Sequence, residues 1–173
     1  MQNIPSREGY HYVLFIIDHG SKMCWVFPLR TRDSGSVLQF LTKFVREILA
    51  SHSIQLRHFH TDGGAELVSA DVLSFLHSSG VITSHSPRDT PQMNSVTERW
   101  VRSLKEKVLC MLLRSSLPVA FWWLAVECAV YIMNRIPTKT AQGYMTPYEC
   151  IHGSAPDLKW FRIWGCKCYA LKP

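Results

Sequence analysis

With 173 residues, 47% of them hydrophobic and 12% aromatic, the chain is long and apolar enough for one globular domain with a sizeable core, not a disordered tail. No apolar run reaches the roughly 18 residues of a membrane span, and the start MQNIPSREGY lacks the regions of a signal peptide, so we expect no membrane partner and no secretory signal. The net charge of +6 suits a polyanionic partner, although many basic globular domains share it.

The six cysteines contain no Cys-Xaa-Xaa-Cys pair. This spacing argues against a structural zinc site and against a disulfide framework. We therefore expect reduced thiols, most of them buried, in an intracellular compartment.

The first half of the chain predicts a hairpin, a helix and a strand. Two β-prone runs, at 10–17 and 23–29, flank the turn-like sequence DHGSK. Apolar residues then recur at helical spacing over about 36–51, with Ser34 or Ser36 as the expected N-cap. A strand from residue 54 to 60 stops at two glycines, so Asp62 is expected at the strand's C-terminal end.

The second half is richer in helices and less regular towards its end. A loop with two prolines separates its first elements from a long helix, and Pro137 ends the very apolar helix that follows. Strands alternating with helices indicate an α/β fold. The predicted elements are a helix near 69–79, a strand at 81–83, a loop at 86–94, a helix at about 94–115, a second helix before Pro137, a short helix near PYECIHG and a strand near WGCKCYAL.

Two carboxylates carry the candidate chemistry, Asp62 at a strand end and Glu98 in the expected first turn of a helix after a loop. Strand ends and helix starts around a loop can converge at one edge of an α/β sheet. Carboxylates gathered there would hold a pair of Mg²⁺ or Mn²⁺ ions about 4 Å apart for phosphodiester chemistry. The alternative is structural: Asp62 caps a turn, and Glu98 favours a helix N-terminus through the helix dipole.

Five ordered motifs carry a resemblance to a known family. Thirty-five residues separate Asp62, in HTDGGAE, from Glu98, in SPRDTPQMNSVTERWVRSLKE. Both strings resemble acidic motifs of copia-type retrotransposon integrases, members of the D,D-35-E group within the ribonuclease H-like superfamily. Three later segments resemble the sequence that follows the third acid in that family: FWWLAVECAVYIMNRIP, TPYECIHGSAP and WGCKCYALKP.

The resemblance implies a ribonuclease H-like mixed sheet flanked by helices. Residues 1–137 would form the catalytic core, and residues 138–173 a copia-type extension of it. The family's first catalytic Asp lies on a central strand in a segment like DlxGP, which would fall just before Met1. We therefore expect this first strand to be missing from the sheet, and we expect Asp18 to shape the hairpin turn rather than to act as the first acid.

The resemblance also assigns roles to individual residues. Asp62 and Glu98 would be the remaining catalytic carboxylates and metal ligands. At about 100° per residue, Asn94, Glu98, Arg102 and Lys105 share one helix face. Arg102 and Lys105 would contact phosphates of the donor DNA, with Asn94 a loop residue near the DNA. Alternatively, Glu98 and Arg102 form an ordinary ion pair on a solvated helix face.

The implied function is DNA integration by metal-dependent phosphoryl transfer, in which the element end is trimmed and then joined to the target strand. The partners would be element ends, target DNA and further copies of the protein, in the nucleus or a cytoplasmic particle. Two carboxylates supply little negative charge for two divalent ions, so we expect this chain alone to be inactive. Two alternatives remain: a non-catalytic remnant that binds DNA or protein, and a ribonuclease H-like nuclease that cuts without joining.

Overall fold

The computed structural model describes residues 4–85 and 91–169, and in the second range it describes side chains from residue 97 onwards. Strands and helices alternate through most of this part of the chain, which confirms the α/β class. The elements are β1 (Tyr12–Ile17), β2 (Cys24–Leu29), α1 (Ser34–Lys43), β3 (His58–Thr61), α2 (Ala70–Ser78), β4 (Ile82–His85), α3 (Pro91–Ser115), α4 (Trp122–Met133), β5 (Thr138–Thr140), β6 (Gly143–Met145) and α5 (Pro147–His152).

Strands β1 and β2 form the predicted hairpin, and Asp18 builds its turn. The Asp18 N–H donates to the Met23 carbonyl oxygen at 2.8 Å, which closes the hairpin. The Asp18 side chain accepts hydrogen bonds from the Ser21 N–H at 2.6 Å and the Ser21 hydroxyl at 2.7 Å. These contacts confirm the expected turn-forming role of Asp18.

Helix α1 begins after Asp33, not after Ser34 or Ser36 as predicted. The Asp33 carboxylate accepts from the Ser36 N–H and the Ser36 hydroxyl, both at 2.8 Å, and from the Thr31 hydroxyl. A carboxylate can accept several bonds at once, which makes it the stronger cap here. These bonds, that from Thr31 foremost, lower the pKa of Asp33 to about 2. The chain continues beyond α1 as a π-helical segment, Phe44–Leu49, so the predicted helix is confirmed but not uniform.

Strands β3 and β4 are parallel, with His58 opposite Ile82 and Thr61 opposite His85. Parallel neighbours require a crossover connection, and α2 supplies it. Val72 and Leu76 on α2 are fully buried, as are Val37 and Leu41 on α1, and the two helices contact each other. Helix α2 also contacts β4, the strand paired with the one that precedes Asp62.

The described strands form three separate two-stranded sheets: β1–β2, β3–β4 and the antiparallel pair β5–β6. Parallel and antiparallel pairing therefore both occur. Between residues 4–85 and 91–169, no strand pairs β1–β2 with β3–β4. One edge each of β3 and β4 consequently has no partner strand within the described part of the chain.

The chain divides into two compact units. The first comprises residues 1–10, 15–26 and 101–173, and the second comprises residues 11–14 and 27–100. In the first unit, α3 buries Leu104, Val108 and Leu112 along one face, and α4 buries Trp123. Asn134, which follows α4, is 5% exposed and is hydrogen-bonded to the backbone of Cys24.

The end of the chain departs from the prediction. The short helix near PYECIHG is confirmed as α5, but the described residues 164–169 form no strand. The hairpin β5–β6 was not predicted, because strands of three residues are too short to show a period. The expectation of mostly buried thiols was wrong: Cys110, Cys166 and Cys168 are exposed, whereas Cys24 is buried and burial raises its pKa. No helix among the described residues has both the length and the apolar character needed to cross a bilayer.

Candidate active site

Asp62 lies on an exposed turn directly after β3. Thr61 is buried and Asp62 is exposed, as strand alternation requires. The Gly63 N–H donates to the Thr61 hydroxyl at 3.0 Å, and the Gly64 N–H donates to Asp62 Oδ1 at 3.2 Å. Gly63 has a φ of +77°, a conformation that most side chains disfavour, so the glycine allows the turn that presents Asp62.

A second carboxylate, Glu66, faces the same turn, and sequence reasoning missed it. A Cβ atom added at Gly64 would lie 3.3 Å from Glu66 Oε2 and 3.4 Å from Asp62 Oδ1. Both carboxylates therefore approach one side of Gly64. Glu66 could have been found from the sequence, because it is the last residue of the motif HTDGGAE.

Arg32 neutralises Glu66 across this turn. Its Nε and Nη2 donate to Glu66 Oε1 at 2.9 and 2.5 Å, and the side chains are 58% and 17% exposed respectively. A hydrogen bond from its own backbone, followed by those from Arg32, lowers the pKa of Glu66. Asp62 also interacts electrostatically with Arg32 and contributes to its raised pKa, after the larger effect of Glu66. Two carboxylates and one guanidinium thus meet at this turn.

Glu98 is exposed on α3, but it is not in the first turn as predicted. The helix begins at Pro91, which makes Glu98 its eighth residue, nearly two turns inside. The prediction took Pro91 as part of a loop, whereas proline is well tolerated in the first turn of a helix. Because the dipole effect fades within the first turn, it does not explain a carboxylate at this position.

The predicted basic face of α3 is present in part. Arg102 and Lys105 are exposed and lie on the same helix as Glu98. Residues 97–115 of α3 form no ion pair among the salt bridges of the described residues, so the alternative pairing of Glu98 with Arg102 is not observed. Asn94 falls within the bounds of α3 rather than in a loop, and its side chain lies outside the described residues.

Asp62 and Glu98 belong to the same compact unit, and their oxygen donors are of the type that Mg²⁺ and Mn²⁺ prefer. The donor type of both side chains therefore suits a divalent ion. Residues 4–85 and 91–169 contain no group of three or more His, Cys, Asp or Glu side chains placed to hold a metal ion. A third side-chain ligand grouped with these two is therefore not found in that part of the chain.

Comparison with known families and proteins gives a consistent result. A family model described as an integrase core domain matches residues 2–91. The chain is 31% identical, over 98% of its length, to the retrovirus-related Pol polyprotein from transposon TNT 1-94 of Nicotiana tabacum. It is 29% identical, over 96% of its length, to that from transposon RE1 of Arabidopsis thaliana. The chain spans only 13% and 11% of these two polyproteins.

Solved structures agree on the fold. The catalytic core domain of BIV integrase superposes with a TM-score of 0.61 at 16% identity, covering 80% of this chain and 84% of that one. The HTLV-2 integrase catalytic core domain in complex with magnesium gives a TM-score of 0.59 at 20% identity, covering 81% and 83%. The expected ribonuclease H-like fold is therefore confirmed, and so is the resemblance to copia-type transposon sequences.

Proposed function

This chain belongs to the integrase core domain family, and we propose that it serves DNA integration through metal-dependent phosphoryl transfer, comprising 3′-end processing and strand transfer. The observation that supports this most directly is the exposed Asp62 turn at the end of β3, followed after 35 residues by an exposed Glu98 on α3. The match of residues 2–91 to the family covers Asp62 but ends before Glu98. The role of Glu98 therefore rests on its motif and its exposure.

We propose that Asp62 and Glu98 are catalytic metal ligands for Mg²⁺ or Mn²⁺, a choice supported by the magnesium complex of the HTLV-2 neighbour. When bound, such ions activate the attacking oxygen and stabilise the leaving oxygen of a phosphodiester. Asp62 is presented by the glycine turn, and Glu98 is exposed on α3. Arg32 offsets the charge of Glu66, which leaves Asp62 as the carboxylate of this turn for the metal.

Donor DNA would lie along α3, with Arg102 and Lys105 neutralising phosphates and Asn94 nearby. Replacing both cations with Ala is expected to reduce the slope of log K against log salt by about 1.8, because each phosphate contact releases about 0.9 counterions. Fluorescence anisotropy of a labelled element-end duplex at several salt concentrations measures this slope. Lys43→Ala together with Arg46→Ala, exposed cations of the other unit, is the matched control. An unchanged slope in the α3 variant would mean that this helix face is an ordinary solvent-exposed surface that does not contact DNA.

Product analysis tests the function itself and separates it from its alternatives. The chain is extended by an N-terminal strand of the DlxGP type, then incubated with a labelled donor end, a target plasmid and Mg²⁺ or Mn²⁺. We expect joined donor–target products. Cleavage without joining would identify a ribonuclease H-like nuclease instead. Binding without either product would identify a non-catalytic DNA-binding remnant.

The remaining proposals concern assembly and location. We propose that residues 1–137 form the catalytic core and that residues 138–173 form an extension of it. Self-association is supported by the trimeric form named for the HTLV-2 neighbour. Element ends and target DNA would be the partners. Location in the nucleus or in a cytoplasmic particle is supported by the transposon polyproteins that the chain resembles.

A further inference from the structure

A chain of ring contacts joins α4, α5 and the segment after α5, all within the first compact unit. The Arg135 Cζ atom lies 3.5 Å from the ring centroid of Tyr131 and 4.6 Å from that of Tyr148. Tyr148 stacks on His152 with centroids 3.9 Å apart, and Tyr131 contacts Phe161 at 5.5 Å. We call Tyr131, Arg135, Tyr148, His152 and Phe161 the Arg135 cluster.

The cluster continues into exposed aromatic side chains. Tyr131 is 45% exposed, although it lies on the very apolar α4, and Trp160, next to Phe161, is 71% exposed. The Lys159 Nζ atom lies 5.5 Å from the Trp160 ring centroid. Large rings usually bury most of their surface in a core, so rings left in solvent beside cations indicate a contact surface.

The same region concentrates positive charge. Residues 131–169 contain five Lys and Arg against two Asp and Glu, which is half of the chain's net charge of +6. The ion pairs found among the described residues are Arg32–Glu66 and Lys159–Asp157, so Arg135 and Arg162 take part in neither. The Arg162 Nη1 donates only to backbone, to the carbonyl oxygens of Lys159 and Phe161, in the bonds observed. No carboxylate of the described residues therefore forms an ion pair with these two guanidinium groups.

We propose that the Arg135 cluster together with Trp160 and Arg162 is a binding surface for single-stranded nucleic acid. Unpaired bases stack on exposed aromatic rings such as that of Trp160, and neighbouring cations neutralise the phosphates. The uncompensated positive charge favours a polyanion over an apolar protein partner. Single strands are favoured over duplexes because the bases of a duplex are already stacked on each other. This surface uses neither Asp62 and Glu98 nor the basic face of α3, and it goes beyond the proposed integration chemistry.

The experiment measures binding of a fluorescein-labelled (dT)20 single strand to the full chain, in EDTA so that no metal-dependent contact contributes. We expect the oligonucleotide to quench part of the tryptophan emission. Trp160→Ala is expected to bind about tenfold more weakly and to lose this quenching, because stacking on one ring is worth roughly that factor. Trp160→Phe keeps a ring and is expected to retain most of the affinity. Arg162→Ala is expected to flatten the salt slope by about 0.7, one phosphate contact of a single strand.

Two matched variants isolate the surface. Leu113, 72% exposed on α3 of the same unit, tests the loss of a large exposed apolar side chain, and Lys43 tests the loss of an exposed cation elsewhere. Leu113→Ala and Lys43→Ala are expected to bind within about twofold of the parent chain, since surface changes away from a contact have small effects. Unchanged affinity and quenching in Trp160→Ala would overturn the proposal. So would equally tight binding of a dA–dT duplex, or self-association that Trp160→Ala abolishes, which would identify a second copy as the occupant.

Discussion

Replacing Asp62 with Asn in the strand-extended chain is expected to lower the rate of strand transfer about 10³-fold. An amide is a weaker metal ligand than a carboxylate and carries no charge, and loss of several kcal/mol of charge stabilisation corresponds to that factor. Glu98→Gln is expected to lower the rate of strand transfer by a similar factor. Timed joining of a labelled donor end at saturating Mn²⁺ measures both rates. The two losses should not multiply in the double variant, because the carboxylates act as one unit.

The matched control for these variants is Asp18→Asn. The Asp18 carboxylate is engaged with Ser21 in the hairpin turn, so its replacement should reduce thermal stability slightly and leave the rate of strand transfer nearly unchanged. Glu66→Gln is a second comparison, since it removes the partner of Arg32 while keeping Asp62. Efficient joining by the chain without its added strand, abolished by Asp18→Asn, would contradict the assignment and make Asp18 the first acid.

Local sequence was sufficient to predict where Asp62 lies. An alternating apolar strand followed by two glycines leaves few conformations, and Gly63 adopts the positive φ that such a break requires. The turn at Asp18 is equally local, because it is closed by residues within five positions of it, although the resemblance to integrases assigned Asp18 its place in that turn. Contacts between residues a few positions apart can be predicted from the local sequence, because all the residues involved lie in one short segment.

Helix boundaries were predicted less well, because competing local signals were weighed wrongly. Pro91 was taken as a loop residue although it begins α3, and this error placed Glu98 in the wrong turn. At α1, two serines were preferred although Asp33 accepts more hydrogen bonds. In both cases the sequence contained the residue that begins or caps the helix, but the prediction chose a neighbouring residue.

Long-range contacts could not be predicted from local patterns. Arg32 and Glu66 are separated by 34 positions, and Asn134 and Cys24 by 110. No period or motif links such pairs, because the first depends on how the segments around α1 and α2 pack and the second on where α4 ends beside β2. The resemblance to integrases predicted the catalytic motifs, but it said nothing about these supporting contacts.

The contact between Asn134 and Cys24 gives the prediction with the largest effect on stability. Asn134 Oδ1 accepts from the Cys24 N–H at 2.9 Å, and its Nδ2 donates to the Cys24 carbonyl oxygen at 2.8 Å. The amide thus bonds to the first residue of β2 much as a neighbouring strand would. Both residues are almost completely buried, at 5% and 1% exposed.

Asn134→Ala is therefore expected to lower the free energy of unfolding by about 3 kcal/mol. The substitution leaves a buried N–H and a buried carbonyl without partners, and each such group costs about 1–3 kcal/mol. Urea denaturation followed by circular dichroism measures the change, which should appear in the midpoint and not in the m-value. Gln142→Ala, which removes an exposed amide from the turn between β5 and β6, is expected to change stability by less than about 0.5 kcal/mol. Similar effects of the two substitutions would mean that water or a shifted backbone satisfies Cys24, and that Asn134 does not hold β2 against the end of α4.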